Sequence, residues 1–180
     1  MNKKVLLAIA AIIALVFSLC ACSNEEPLTA EGEKIFISSD NRYQVTAPAD
    51  WQRDRNAIMN GAIIAATKDG TGQSQSLIVL SQKKIEDATL DQFNIDIMAS
   101  VQTASEDFAI VWQKEIELDG KRTIATKIRH VLDGKDTLSW IYAMDGGDLF
   151  LRINGFTYEP DAEENGLVIE KVIMSFEEIL

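Results

Sequence analysis

The chain reads as an α+β domain: an antiparallel sheet of about eight strands in two groups, flanked by two helices and preceded by an amino-terminal signal helix. Three observations predict this. Alternating runs between Phe108 and Phe156 are punctuated by Asp119-Gly120, Asp133-Gly134 and Asp145-Gly146-Gly147-Asp148, and Asp-Gly supplies the positive φ angles of tight hairpins. Two stretches, Thr89–Ser105 and the segment after Pro160, change to helical period. The order is four strands, a helix, four strands, a helix, and such blocks argue for helices packed on an antiparallel sheet rather than a parallel α/β fold.

In chain order, Asn2-Lys3-Lys4 leads into an apolar run that ends at Leu19-Cys20-Ala21-Cys22-Ser23, the layout of an export signal. Val5 to Cys22 is close to the roughly 18 to 20 apolar residues that a spanning helix needs. An uncleaved anchor is nevertheless the weaker reading, because Ser23-Asn24-Glu25-Glu26 carries no positive stop-transfer flank. Leu19, Cys20, Ala21 and Cys22 resemble the bacterial lipobox position by position. That resemblance implies cleavage before Cys22, diacylation of its sulfur and a membrane-tethered product. Cleavage before Cys20 would instead put bulky Leu19 where a small residue is required. The expected organisation is a signal peptide over 1–21, an acidic tether over 22–33 and one domain over 34–180. The tether reading of SNEEPLTAEGE rests on its charge, Pro27, Gly32 and lack of apolar period.

Lys34–Ser38 and Tyr43–Ala47 read as a first hairpin around Ser39-Asp40-Asn41-Arg42, ended by Pro48, whose ring nitrogen has no hydrogen to donate to a ladder. Trp51 is expected to fold back over one end of the core. Ala62–Lys68 and Ser76–Lys83 form a second hairpin around Asp69-Gly70-Thr71-Gly72-Gln73. In the next helix Leu90, Phe93, Ile97, Val101 and Ala104 share one face, and Thr89 with Gln92 has the form of a capping box. Four further strands follow: Phe108–Leu118, Arg122–Leu132, Leu138–Met144 and Leu149–Phe156. Ile124, Thr126, Ile128 and His130 alternate with Lys127 and Arg129, the pattern of a sheet wet on one side, while Leu138, Trp140, Tyr142 and Met144 share a face. The last helix opens at Pro160-Asp161-Ala162-Glu163-Glu164, with acids at its positive end, and Leu167, Ile169, Val172, Ile173 and Phe176 supply its apolar stripe.

Phe36 and Tyr43 in the opening hairpin, Pro48-x-x-Trp51 after it, the helix beginning at Thr89-Leu90 and the closing Ile173-Met174-Ser175-Phe176 resemble the PsbP/DcrB-like family of small α+β domains. The resemblance spans nearly all of the mature domain. It implies an antiparallel sheet flanked by helices, often exported or lipid-anchored in bacteria, in proteins that mostly bind other proteins and assemble complexes. No catalytic motif is shared across that family, so no site residue is carried over.

Composition and motifs narrow the chemistry by exclusion. The formal net charge is −11, and loss of Lys3 and Lys4 with the signal takes it to −13. Such a domain repels phosphate backbones, and Lys83-Lys84 and Lys121-Arg122 are isolated pairs, so nucleic acid is not an expected partner. With Cys20 removed and Cys22 acylated, no thiol remains for catalysis, a disulfide or a metal. His130 is the only histidine and its face neighbours are mostly aliphatic, so a packed side chain is preferred over a catalytic one. Gly70-Thr71-Gly72-Gln73 lacks the Lys-Ser/Thr of a phosphate loop, and Asp145-Gly146-Gly147-Asp148 lacks the ligand spacing of an EF-hand. Glu163-Glu164 and Glu177-Glu178 read as solvated or dipole-compatible charges.

Of Trp51, Trp112 and Trp140, core packing is the preferred role, and Trp51, Trp140 and Tyr142 are the candidate partner surface if aromatic side chains mark one. The expected function is that of a non-enzymatic envelope lipoprotein, held in the cell membrane or outer membrane by its lipid, whose exported domain binds a protein partner and supports assembly. No cofactor is implied. The alternative is a solute or metal-ion receptor, and a hydrolase comes third.

Overall fold

The computed structural model describes residues 26–68, 75–158 and 162–179. The signal, Cys22, the Gly70–Gln73 turn and Pro160-Asp161 lie outside the described residues, as do the side chains of Ala162 and Glu163. Ten strands and three helices are described. They are β1 (Lys34–Ile37), β2 (Tyr43–Ala47), β3 (Gln52–Arg53), α1 (Arg55–Met59), β4 (Ile64–Thr67), β5 (Gln75–Lys83) and α2 (Leu90–Ala104). After these come β6 (Glu106–Leu118), β7 (Lys121–Leu132), β8 (Lys135–Asp145), β9 (Leu149–Tyr158), α3 (Ala162–Met174) and β10 (Glu177–Glu178). The expected α+β architecture is present, enlarged by β3, α1 and β10, which are too short to show a period.

Two antiparallel sheets form, a small one in the order β1-β2-β10 and a large one in the order β3-β4-β5-β9-β8-β7-β6. The meander from β6 to β9 follows from its turns. Asp119 and Gly120 sit at φ 50° and 68°, and Asp133 and Gly134 at 52° and 73°, so both central residues of each turn are left-handed, as a two-residue hairpin of the right twist demands. β5 then pairs with β9 over nine residues, from Gln75 opposite Thr157 to Lys83 opposite Leu149. This one long-range ladder fuses the two strand groups.

Register sorts the large sheet into two faces, because directly paired residues project to the same side. On one side lie Leu77, Val79, Trp140, Tyr142, Met144, Leu151 and Ile153, all buried beneath α3 and the small sheet. α3 contributes Ile169, Val172 and Ile173, and Phe176 beyond its end stacks on Tyr43 at 5.4 Å between ring centroids. Gly155 permits this approach, since a Cβ there would clash with Ile169 Cγ2. On the other side α2 lays Leu90, Phe93, Ile97 and Val101 over Ile124, Ile128, Ile141, Ala143 and Phe150. Thr89 starts α2 by accepting from the Gln92 amide at 3.2 Å. The reciprocal half of the capping box is replaced, as the Gln92 side chain donates to Asp96 at 2.8 Å.

Two expectations need correction. The wet face exists only in part: on β7 Lys127 is half-buried and Arg129 exposed, as expected, but β8 has helices on both sides, and Thr137–Met144 is buried throughout. The acidic tether is also shorter than its composition suggested. Glu26 grips Arg53 through both carboxylate oxygens at 2.6 and 2.9 Å, Ile35 N donates to Pro27 O at 2.8 Å, and Lys171 meets Glu33 at 2.7 Å. From Glu26 onward the chain is therefore laid against the domain.

Candidate functional site

The aromatic residues proposed as a partner surface are core residues. Trp51 and Trp140 are 0% exposed and Tyr142 is 4% exposed, so none can meet a partner on this surface. Trp51 covers the core, as its place after Pro48 suggested. Trp140 donates its indole N–H to Glu170 Oε1 of α3 at 2.6 Å, and Lys127 Nζ lies 4.6 Å from its ring centre. Burial, aided by the nearby Glu170 charge, pushes the Tyr142 phenol up to about 12. Sequence reasoning could not separate a buried from an exposed tryptophan, because both suit a strand and only the approach of α3 closes over Trp140.

His130 is packed, with 5% exposure. Its Nδ1 is 2.8 Å from Ser105 Oγ at the end of α2, and its Nε2 is 2.9 Å from Ser139 Oγ on β8. Burial lowers its pKa, favouring the neutral ring. A neutral imidazole held between two hydroxyls pins the end of α2 to the sheet and leaves no open path for substrate.

The charged turns are also occupied internally. Asp145 bonds Lys84 at 2.5 Å and accepts from Gly147 N at 3.0 Å. Burial raises its pKa, but these two contacts more than offset that and hold the carboxyl below its usual range. Glu178 takes Lys121 at 2.6 Å, tying β10 to the start of β7. Among the described residues, no three His, Cys, Asp or Glu side chains converge on a point that could hold a metal ion. No described helix is long and apolar enough to cross a membrane.

What remains open is a groove on the α2 side of the sheet. α2 packs on β6, β7 and β8, so it leaves the neighbouring β9 and β5 partly uncovered. Between α2 and those strands lie two adjoining hollows. One, of about 240 Å³, is walled by Leu80, Phe93, Ile97 and Arg152, with Asp96 and Ser100 at its rim. The other, of about 210 Å³, runs past Phe93 and Phe150 to Lys84, Ile85 and Thr89. They share Gln82, Phe93 and Asp96. Phe93 stacks on Phe150 at 4.8 Å and forms the apolar floor where they meet. Ile85, 77% exposed, stands at the far end.

The polar groups of this face set it apart. Arg152, Asn154 and Phe150 alternate along β9 and project to the α2 side, opposite Leu80, Ile78 and Gln82 of β5. Arg152 Nε and the Oδ1 atoms of Asn154 and Asn94 are buried without a hydrogen-bond partner. Burial lowers the Arg152 pKa, with no opposing contribution from a nearby carboxylate. An orphaned cation beside an apolar floor can receive an anionic group and the apolar body that carries it. The sequence reading missed Arg152, Phe93 and Phe150 as site residues. The available signal was a lone arginine inside the apolar run Leu149-Phe150-Leu151-Arg152-Ile153.

No family model matches the sequence, and no curated protein matches it. Similar folds occur among solved structures. Cyanobacterial PsbP (CyanoP) from Synechocystis sp. PCC 6803 matches with a TM-score of 0.59 at 12% identity, over 88% of this chain and 99% of that one. LpqN of Mycobacterium tuberculosis, described as involved in cell envelope biogenesis, matches at 0.63 and 10% identity over 82% of this chain and 91% of its own. The Ran-binding protein Mog1p of Saccharomyces cerevisiae matches at 0.53 and 9% identity, over 81% of this chain and 94% of its own. At these identities the likeness is one of architecture, and the domain has the PsbP-like fold that its opening hairpin, Pro48-x-x-Trp51 step and closing helix suggested.

Proposed function

We propose that the chain is a lipid-anchored cell-envelope protein whose domain binds a partner protein through the groove between α2 and the β5–β9 ladder, supporting assembly without catalysing a reaction. The observation that carries this reading is the groove itself. On the opposite face the centre of the sheet is covered by α3 and the small sheet, whereas here stacked aromatics, an exposed isoleucine and an orphaned arginine share one open face. Two fold neighbours support a binding role: one is named for binding Ran and the other is described as involved in envelope biogenesis.

The anchor follows from the lipobox resemblance at Cys22. With the chain docked from Glu26 onward, only residues 22–25 would separate the lipid from the domain, a span of at most about 14 Å. The domain would then sit close to its membrane. Metabolic labelling with a fatty-acid analogue is expected to mark the wild type and not Cys22→Ser; label retained in that variant refutes the assignment.

The binding face is tested by placing a photo-crosslinking residue at Gln82, in the groove, and at Lys171 on α3, in the full-length protein in its own membrane. A discrete crosslinked protein is expected from position 82 and not from 171. Equal products from both positions, or none from position 82, reject the groove as the binding face.

A further inference from the structure

We propose that Arg152 anchors a single carboxylate, presented by an acidic side chain of the partner with an apolar residue beside it. This deepens the reading of the groove as the partner-binding face and rests on it.

A guanidinium has five donors in a planar fork and keeps its charge, so burial is tolerated when an acceptor fills the fork. Arg152 lines the larger hollow, its Nε is buried, and no side chain among the described residues accepts from it or pairs with it. The contrast within the protein is sharp. Arg53 is held by both oxygens of Glu26 and also donates to Ile37 O at 3.0 Å, and Arg122 bridges Asp91 and Glu115 at 3.1 and 2.7 Å. In a chain with 28 acidic residues, a partly buried arginine without one is a departure that packing does not require.

The surroundings define the class of anion. Asp96 stands at the rim, already accepting from Gln92, and Glu86 and Asp87 line the far hollow. These charges, together with the net charge of −11, disfavour a phosphate dianion or a polyanion and leave room for one negative charge at Arg152. Phe93, Leu80 and Ile97 line the same hollow, so an aliphatic or aromatic group adjoining the carboxylate would be buried with it. Ser100 lines the same hollow and offers a hydroxyl there.

The test uses small probes on the folded protein. N-acetyl-phenylalanine, as its carboxylate, and the neutral N-acetyl-phenylalanine amide are titrated while the Arg152 Nε–H resonance is followed by NMR, with inorganic phosphate as a third arm. The carboxylate is expected to give a saturable shift at least 10-fold larger than the amide, and phosphate little. Arg152→Gln is expected to abolish the carboxylate dependence of the neighbouring groove resonances. Equal response to acid and amide, a response that persists in Arg152→Gln, or a phosphate response as large as the carboxylate's overturns the proposal.

A stability measurement separates a ligand-binding arginine from a structural one. Arg152→Met removes an unpaired charge, so its Tm is expected to match or exceed that of the wild type; a lowered Tm assigns Arg152 to the fold and overturns the proposal. Crosslinking from Gln82 in the Arg152→Gln background distinguishes this proposal from the one it rests on. Undiminished capture overturns the carboxylate anchor and leaves the groove as the binding face; lost capture supports both.

Discussion

The two faces of the seven-stranded sheet are built to different standards. On the α3 side Leu77, Val79, Trp140, Met144, Leu151 and Ile153 are almost without solvent exposure, and the helix comes so close that β9 can tolerate only glycine at 155. On the α2 side the helix covers half the width, polar side chains occur among the apolar ones, and three buried polar atoms have no partner. Buried polar atoms are normally satisfied, because each orphan costs about 1 to 3 kcal/mol. The α3-side core carries one such orphan, the Tyr43 hydroxyl, against three on the α2 side, so the looser face gives up more stability, at the place where a groove opens.

The two faces differ most in how they take added bulk. Gly155→Val places methyl groups into Ile169, and overpacking of a filled core costs about 1 to 3 kcal/mol, here at the upper end because the Cβ alone already meets Ile169 Cγ2 and Ile173 Cδ1. Gln82→Val in the groove is expected to shift stability by no more than about 0.5 kcal/mol. Chemical denaturation of the two variants checks the difference, and equal losses would show that the faces are not distinct. Glu170→Ala is the next largest effect, because it leaves the Trp140 indole N–H without its acceptor at a cost of about 1 to 3 kcal/mol, read as a lowered denaturation midpoint. Thr89→Ala removes the cap of α2 and is expected to cost about 1 kcal/mol. Hydrogen exchange in that variant should accelerate in α2 before α3; uniform acceleration would mean that α2 is not the more weakly held helix.

The smallest effect is a pH dependence confined to the α2 side. Burial sets the folded pKa of His130 below the ordinary imidazole value of about 6.5, so between the two values the unfolded chain binds more protons than the folded one. Its contribution is therefore full above about pH 6.5 and declines as the pH falls from there towards the folded pKa. His130→Gln should flatten the stability profile across that window. An unchanged slope would show that the imidazole is not held neutral by its packing.

Local instructions in the chain are read correctly where a few adjacent residues suffice to carry them. The two Asp-Gly turns, the Thr89 cap, the change of period at Leu90 and the shared face of Leu138, Trp140, Tyr142 and Met144 all reappear in the structure. Short elements escape notice because α1 and β3 span too few residues to display a period, although Asp54 caps α1 by accepting from Asn56 N and Ala57 N.

The candidate site was not legible. Trp140 and Arg152 look alike as strand residues. Their fates diverge because Trp140 faces α3 and Arg152 faces the strip that α2 leaves uncovered. Periodicity states which residues share a face but not which faces are later covered.

Sequence alone thus determined the class of fold, its turns and helix starts, and the resemblance of Leu19-Cys20-Ala21-Cys22 to an anchoring signal. Those properties depend on neighbouring dihedral angles or on a short contiguous stretch of residues. Tertiary packing was needed to join β5 to β9, to place Trp51 and Trp140 in the interior and to leave an arginine without a counterion beside a groove. The physical reason is distance along the chain. Pairing across some seventy residues and docking of helices on a sheet depend on the summed burial of many side chains, which no local stretch of sequence records.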